Sequence, residues 1–316
     1  MKKIMVTGGA GFIGSNLIRE LLGQGHDVFA VDNYFSSDEK NISEFLGEPN
    51  FSFAQHDVIE PLYREVDEIY HLAAPASPKY YQQNPVFTSK TILFGSLNQL
   101  ELATKTGAKV LFASTSEVYG DPAEHPQRES YWGNVNPIGP RACYDESKRA
   151  METVAFDYFR QYGTRIKVAR IFNTFGPGMA IKDGRVVSNL IVQALLGEPL
   201  TINGDGSQTR SLCFVDDLVQ GLMLMMGTDD DFVGPVNLGS GHELSISQLA
   251  DIVLELCGSS SELDYRPLPQ DDPKQRRADT SLATSKLNWT PSTDLTLGLA
   301  KTIQYFETAL AASSLK

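Results

Sequence analysis

The chain has 316 residues, 41% of them hydrophobic and 21% charged, the balance of an ordinary soluble protein long enough for one large or two modest domains. A formal net charge of −12 at pH 7 argues against nucleic acid or an anionic membrane as the main partner. It does not exclude an anionic substrate met by a few converging arginines. Cys143, Cys213 and Cys257 are scattered with no CxxC, so they read as reduced thiols of a cytoplasmic protein. Met1 to Thr7 read as a strand, not a signal peptide, no apolar run approaches the ~20 residues of a membrane span, and no His/Cys cluster suggests a metal.

Ile4-Met5-Val6 is a short apolar strand running into Gly8, Gly11 and Gly14, a GxxGxxG, and then an amphipathic helix through Leu17, Ile18, Leu21 and Leu22. Glycines there allow a tight turn and a close backbone approach to a pyrophosphate, which meets the free N–H groups of the helix N-terminus. A second strand, Asp27 to Val31, ends in Asp32, an acid placed to accept hydrogen bonds from an adenosine ribose and so to favour NAD over NADP. A third strand begins at Phe51 and is followed by Asp57, which reads either as an adenine contact or as a cap. Glu68 to Ala74 reads as the fourth strand, with His71 a packed strand residue. Pro75-Ala76-Ser77-Pro78 is a stiff loop before Tyr80-Tyr81; a helix then runs from Lys90 to Thr106, and Val110 to Ser114 is a fifth strand.

Strands and helices alternating in this way imply an α/β fold, a doubly wound parallel sheet whose ligands bind at the strands' carboxyl ends. Thr115-Ser116-Glu117 sits at such an end, where it either handles a substrate hydroxyl or simply terminates the strand with local hydrogen bonds. Residues 121–143 form a long Pro- and Gly-rich loop in which Tyr131, Trp132 and Ile138 argue for order. The next helix carries Tyr144 and Lys148, one turn apart on one face. A lysine ammonium and a cationic nicotinamide beside the phenol lower its pKa; moving it from ~10 to ~7 takes about 4 kcal/mol. Such a tyrosine can accept a sugar hydroxyl's proton while hydride leaves the same carbon. The spacing alone is weak and reads more readily as a buried tyrosine and a solvated lysine. The helix is apolar around more than one stripe, which suits either a subunit contact or a deep core position.

Ile166 to Phe172 reads as a sixth strand, after which the alternation breaks down. The expected division is an NAD-binding domain over 1–175, with about 212–240 returning to it, and a smaller mixed α+β lobe over 176–316. Arg185, Arg210 and Arg276 stand in polar, loop-like contexts of this acidic chain, Arg276 within Lys274-Gln275-Arg276-Arg277; arginine forks suit diphosphate and carboxylate. The C-terminal helix, about 297–312, reads as structural.

Taken together, GxxGxxG, Asp32, Thr115-Ser116-Glu117 and Tyr144/Lys148 resemble the extended short-chain dehydrogenase/reductases acting on nucleotide sugars. The longer runs Pro75–Pro78, Ala113–Pro122, His125-Pro126-Gln127, Tyr131-Trp132-Gly133, Asn136–Arg141, Cys143–Glu146, Ala169–Pro177, Asp183–Asn189 and Gln208-Thr209-Arg210 are similar to the UDP-glucuronate decarboxylases among them. The resemblance covers nearly the whole chain. It implies a Rossmann fold, a held NAD, UDP-glucuronate as substrate, UDP-xylose and CO2 as products, and a homodimer through the helices at 88–106 and 144–162.

The resemblance further implies a redox-neutral cycle: oxidation at sugar C4, loss of CO2 from the 4-ketone, and re-reduction. It places Tyr144, Lys148, Glu117, Thr115, Ser116 and Arg276 at the chemistry, with Arg276 meeting the substrate carboxylate. Gly8, Gly11, Phe12, Ile13, Gly14, Asp32, Asn33, Asp57, Val58, Leu72, Ala74, Thr174 and Arg185 then face the cofactor, along with Tyr144 and Lys148. Lys90, Asn173, Asn203 and Arg210, together with Arg185 and Arg276, face the substrate. Three positions depart from the family pattern: Gly178 replaces an arginine, Asn203 a common aromatic near the uracil pocket, and Ala278 a proline after Arg276-Arg277. A 4-epimerase or 4,6-dehydratase shares the NAD site and the Tyr/Lys pair, but a dehydratase typically has aspartate where Ser116 stands, and an epimerase has no need of Arg276. A non-catalytic NAD(H) sensor is the reading from another class; such proteins often lose Tyr or Lys.

Overall fold

The computed structural model of the chain describes residues 1–271 and 275–313. Its first half alternates: β1 (Lys3–Thr7), α1 (Phe12–Gly23), β2 (Asp27–Asp32), β3 (Phe51–Gln55) and β4 (Glu68–His71). α2 (Pro78–Gln83) and α3 (Pro85–Thr106) lead to β5 (Lys109–Thr115), α4 (Ala142–Tyr162) and β6 (Ile166–Ile171). Short elements follow: β7 (Thr174–Phe175), α5 (Val186–Leu196), β8 (Leu200–Asn203), β9 (Thr209–Ser211), β10 (Cys213–Phe214), α6 (Val215–Met226), β11 (Val236–Leu238) and β12 (Glu243–Ser245). The chain closes with α7 (Ile246–Cys257), β13 (Leu263–Arg266), β14 (Gln275–Arg276), α8 (Ser281–Leu287) and α9 (Leu295–Ser313).

Seven strands form one parallel sheet in the order β11-β6-β5-β4-β1-β2-β3. The direction of winding reverses between β1 and β4, which opens a crevice at their carboxyl ends. Every residue of β5, KVLFAST, is buried, as befits a strand covered on both faces. Alternate residues of β1 feed opposite layers: Ile4 and Val6 pack with Leu17, Ile18 and Leu222, and Met5 with Ile92, Leu100 and Met151. Local signals set the long helices. Asn84 caps α3 by accepting from the Phe87 N–H (3.3 Å) with Pro85 next, while α3 and α4 end on the left-handed glycines Gly107 and Gly163.

Within 212–240, Val215–Met226 is the helix α6 lying on β5 and β6, and Val236–Leu238 pairs with β6 as a strand. The fourth strand stops at His71, because Leu72 N donating to Thr7 O (3.1 Å) is the last rung and Leu72 to Ala74 turn into the crevice. The 121–143 loop is ordered through its backbone and Tyr131, whose ring stacks on Tyr119 (centroids 6.1 Å) and whose hydroxyl accepts from Ala123 N (3.0 Å). Trp132 and Ile138, expected to supply that order, are 88% and 93% exposed. A second small sheet, β12-β9-β14, pairs Arg276 directly beside Arg210.

Candidate active site

The β1–α1 turn and the ends of β4, β5 and β6 border a cleft of about 1130 Å³. Gly8 has φ +73°, and a Cβ there would lie 2.9 Å from Ala73 N; a Cβ on Gly14 would lie 2.2 Å from Gly8 O. Side chains are therefore excluded where the helix N-terminus meets the cleft, a cradle suited to a pyrophosphate. Asp32, 8% exposed, accepts from Ala10 N (3.0 Å), Tyr34 N (2.9 Å) and Ser37 Oγ (2.7 Å), so it fastens the glycine turn to the end of β2. A carboxylate has acceptor sites beyond these three, so a ribose hydroxyl can share it. Gly11, Phe12, Ile13, Asn33, Val58, Leu72, Ala74 and Thr174 line the same cleft.

α4 delivers Tyr144 and Lys148, both buried, at the end of β5. Lys148 Nζ donates to Ala113 O (2.6 Å) and lies 5.8 Å from the Tyr144 ring centre. Burial pulls the Lys148 ammonium down to about 8, with Glu152 acting in the other direction. Burial likewise pushes the Tyr144 phenol up; the neighbouring Thr115 hydroxyl pulls down, the Glu117 and Asp145 carboxylates push up, and Arg185 pulls down. The protein's own groups thus do not lower the phenol as the Tyr/Lys spacing predicted, because desolvation outweighs the neighbouring cations. The Tyr144 ring stacks face to face on Tyr81, centroids 5.2 Å apart and 8° from parallel.

Next to the phenol, β5 passes into Ser116 and Glu117. Burial favours the neutral form of Glu117, but Arg276 and then Arg141 outweigh it and hold the carboxyl down to about 2. Arg141 Nη2 reaches Glu117 Oε2 at 2.7 Å and Arg276 Nη2 at 3.1 Å. Arg276 is 1% exposed and also donates to Ser116 O and to Gly120 O (3.0 Å). It therefore reaches the strand end from a segment 159 residues further along the chain. Asn173, Arg185, Asn203 and Arg210 line the same cleft. Arg185 is paired with Asp183 through two 2.6 Å bonds, its guanidinium 5.7 Å from the Phe12 ring centre, and Arg210 donates to Thr209 O (2.8 Å).

Residues 4–239 match the family described as the NAD dependent epimerase/dehydratase family. The chain belongs to that family. It is 53% identical over 309 residues to UDP-glucuronic acid decarboxylase 1 of Xenopus tropicalis, covering 98% of this chain and 73% of that one. It is 53% identical over 298 residues to UDP-glucuronic acid decarboxylase 6 of Arabidopsis thaliana, covering 94% and 86%. Among solved structures it is similar to UDP-glucose 4-epimerase of Thermotoga maritima with UDP-glucose, at 31% identity and TM-score 0.88 over 98% of this chain and 99% of that one. It is also similar to UDP-glucuronic acid 4-epimerase of Bacillus cereus with UDP-glucuronic acid and NAD, at 27% identity and TM-score 0.87 over 97% and 99%.

As a member of the epimerase/dehydratase family, the chain has residues that fit NAD: the glycine cradle, an acid at the end of β2, and small residues at the end of β4. Two expected contacts fall elsewhere. Lys90 is exposed on the outer side of α3 with Val86, Ser89 and Phe94, while Phe87 and Thr91 of the same helix line the cleft. Asp57 accepts from Asn33 Nδ2 (3.0 Å) and Ile59 N (3.0 Å), the geometry of a local cap behind the cleft wall. Ser116 meets Arg276 through its carbonyl. Lys274, next to Arg276's strand, lies outside the described residues. His71 is packed as expected: 2% exposed, bonded to Thr7 Oγ1 (2.7 Å) and held down to about 3 by burial. Sequence reasoning missed Tyr81, Arg141 and Glu152. Arg141 stands three residues before Tyr144, a spacing that could have revealed it; Tyr81 comes from another helix and left no such trace.

Proposed function

We propose that the chain is a UDP-glucuronate decarboxylase, converting UDP-glucuronate to UDP-xylose and CO2 by transient oxidation at sugar C4. The observation that carries this reading is Arg276, a buried guanidinium lining the cleft beside Glu117 and the Tyr144 centre. A planar fork in a desolvated pocket suits a carboxylate. Near-full-length likeness to decarboxylases supports the same conclusion.

Tyr144 Oη takes the proton of the C4 hydroxyl, with the neighbouring Thr115 hydroxyl favouring the phenolate. Bound NAD supplies the hydride acceptor and donor at C4 and a cationic ring that favours the phenolate. Lys148, fixed on Ala113 O, keeps a positive charge under the ring. Once C4 is a ketone, the C5 carboxylate is beta to it, and the C5–C6 bond breaks with its electrons entering the carbonyl as an enolate. Tyr144 donates to that oxygen, C5 takes a proton from water, and re-reduction at C4, with Tyr144 returning its proton to the C4 oxygen, closes the cycle. Arg276 holds the carboxylate until it leaves as CO2, and Glu117, kept ionised by two arginines, faces the sugar. Asn173, Asn203, Arg185 and Arg210 position the rest of the nucleotide sugar.

Incubation with UDP-glucuronate and NAD+ yields CO2 and UDP-pentose in equal amounts. UDP-galacturonate without CO2 would overturn the reading in favour of a 4-epimerase. Tyr144→Phe is expected to lower turnover by roughly 10²- to 10⁴-fold while NAD still binds, read by CO2 release and by calorimetry. We further infer a cytoplasmic homodimer. The support is the apolar outer side of α3 and α4, where Val86 is 65%, Phe94 46% and Tyr162 57% exposed, and the presence of free cysteines only. Among the described residues no helix is long and apolar enough to cross a membrane.

A further inference from the structure

Arg276 lies on a two-residue strand, so bonds beyond β14 must hold its backbone where the guanidinium can reach Glu117. We propose that Gln127 is the positioning residue for Arg276, setting its reach toward the substrate carboxylate; this rests on the reading of Arg276 given above. Gln127 is 0% exposed, and three of its hydrogen bonds go to the segment that follows Arg276. Its backbone N donates to Arg277 O (2.9 Å), and its side-chain Oε1 accepts from Arg277 N (2.9 Å). The residue after Arg276 is thereby gripped at both its N–H and its carbonyl. Two residues further on, Asp279 N donates to Gln127 O (2.9 Å), and Gln127 Nε2 closes on Glu124 O (2.9 Å).

The clamp is fastened to the main sheet. Asn237, on β11 and 0% exposed, gives its amide to Gln127 O (3.0 Å) and to Asp279 O (3.1 Å), and its Oδ1 accepts from the Tyr119 hydroxyl (2.7 Å). Arg170 on β6 donates to the same hydroxyl (3.0 Å) and binds Glu152 on α4 through two bonds of 2.9 and 2.7 Å. Glu152 is also bonded to Ser114 Oγ (2.5 Å). A chain of buried polar contacts thus joins the Arg276 segment to the strand and helix that carry Thr115 and Tyr144. Connected buried polar networks of this kind favour one geometry, and a shift of about 1 Å at a reacting group costs up to about a hundredfold in rate.

The test measures UDP-glucuronate and UDP affinity of the NAD-loaded protein for Gln127→Met, Gln127→Glu, Arg276→Ala and the Gln127→Met/Arg276→Ala double variant. Methionine keeps the volume and the backbone bonds but loses the side-chain bonds to Arg277 N and Glu124 O; glutamate keeps the acceptor for Arg277 N–H. We expect Gln127→Met to weaken UDP-glucuronate about tenfold while UDP changes less than about twofold. Gln127→Glu, which keeps the Arg277 bond but sets an oxygen against Glu124 O, recovers only part of that loss, and Gln127→Met adds nothing once Arg276 is gone. Equal losses for the two ligands, or additive effects in the double variant, would overturn the proposal. If Arg276→Ala itself leaves the preference for UDP-glucuronate over UDP unchanged, it is the reading of Arg276 that fails. Asn237→Ser, which removes the amide bonds to Gln127 O and Asp279 O, makes the same comparison if Gln127→Met does not fold.

Discussion

Asp145 follows Tyr144 on α4, 6% exposed, with Oδ2 at 4.0 Å from Arg141 Nε and Oδ1 without a hydrogen-bond partner among the described residues. Burial first and the Glu117 charge second push its carboxyl up to about 7, against Arg141 and Arg276. A carboxyl raised on folding favours the native state below its unfolded pKa of ~4, and that advantage is lost as pH rises through about 7. Glu117, lowered to about 2, has the opposite sign: its contribution is present above ~4 and disappears only as pH falls through about 2. Asp145→Asn is therefore expected to raise the melting temperature at about pH 8, where the parent carries an unwelcome charge, and to change it little at about pH 4. Scanning calorimetry of both proteins at the two pH values checks this; an equal shift at both would refute the charge argument.

Two loops meet over the cleft at the scale of elements. Ser77 Oγ donates to Asp183 O, and Lys79 Nζ to Lys182 O (3.1 Å), so the Pro75–Pro78 loop is clasped to the segment leading into α5. Both sides line the cleft that fits NAD. Ser77→Ala removes one clasp and is expected to speed NAD release by about fivefold or more, measured as loss of bound cofactor on dilution. The stiffness of Pro75–Pro78 was legible in the sequence; its partner, more than a hundred residues on, was not. The same contrast holds elsewhere. GxxGxxG and Asp32 could be read because one local turn explains them. The Tyr81–Tyr144 stack and the Arg141–Glu117 pair depend on how α2, α4 and the end of β5 pack. Lys90 was misplaced because neighbouring residues of a helix point about 100° apart, so one near the site need not face it.

For the molecule as a whole, one buried apolar cluster runs from Ile4 and Leu17 through Leu222 and Leu249 to Trp289 and Phe306. Trp289, 1% exposed, donates from Nε1 to Asp217 O (2.9 Å), and Asp217 in turn accepts from Ser292 N (3.1 Å) and Thr293 N (3.0 Å). Trp289→Ala should cost about 3–5 kcal/mol, visible as a lower denaturant midpoint in a single transition. Separate transitions for the two ends of the chain would contradict a shared core. The continuity also brings Arg276 to Glu117, and that pairing bears on how a catalytic cycle ends. In the substrate-holding role proposed for Arg276, the guanidinium already faces an internal anion, so an incoming carboxylate would join or displace a resident competitor. When the substrate's own anion departed as gas, Glu117 would still be there to take back the arginine. The proposed reaction would thus erase the group by which its substrate is held, and the product would leave a site already returned to its resting charge.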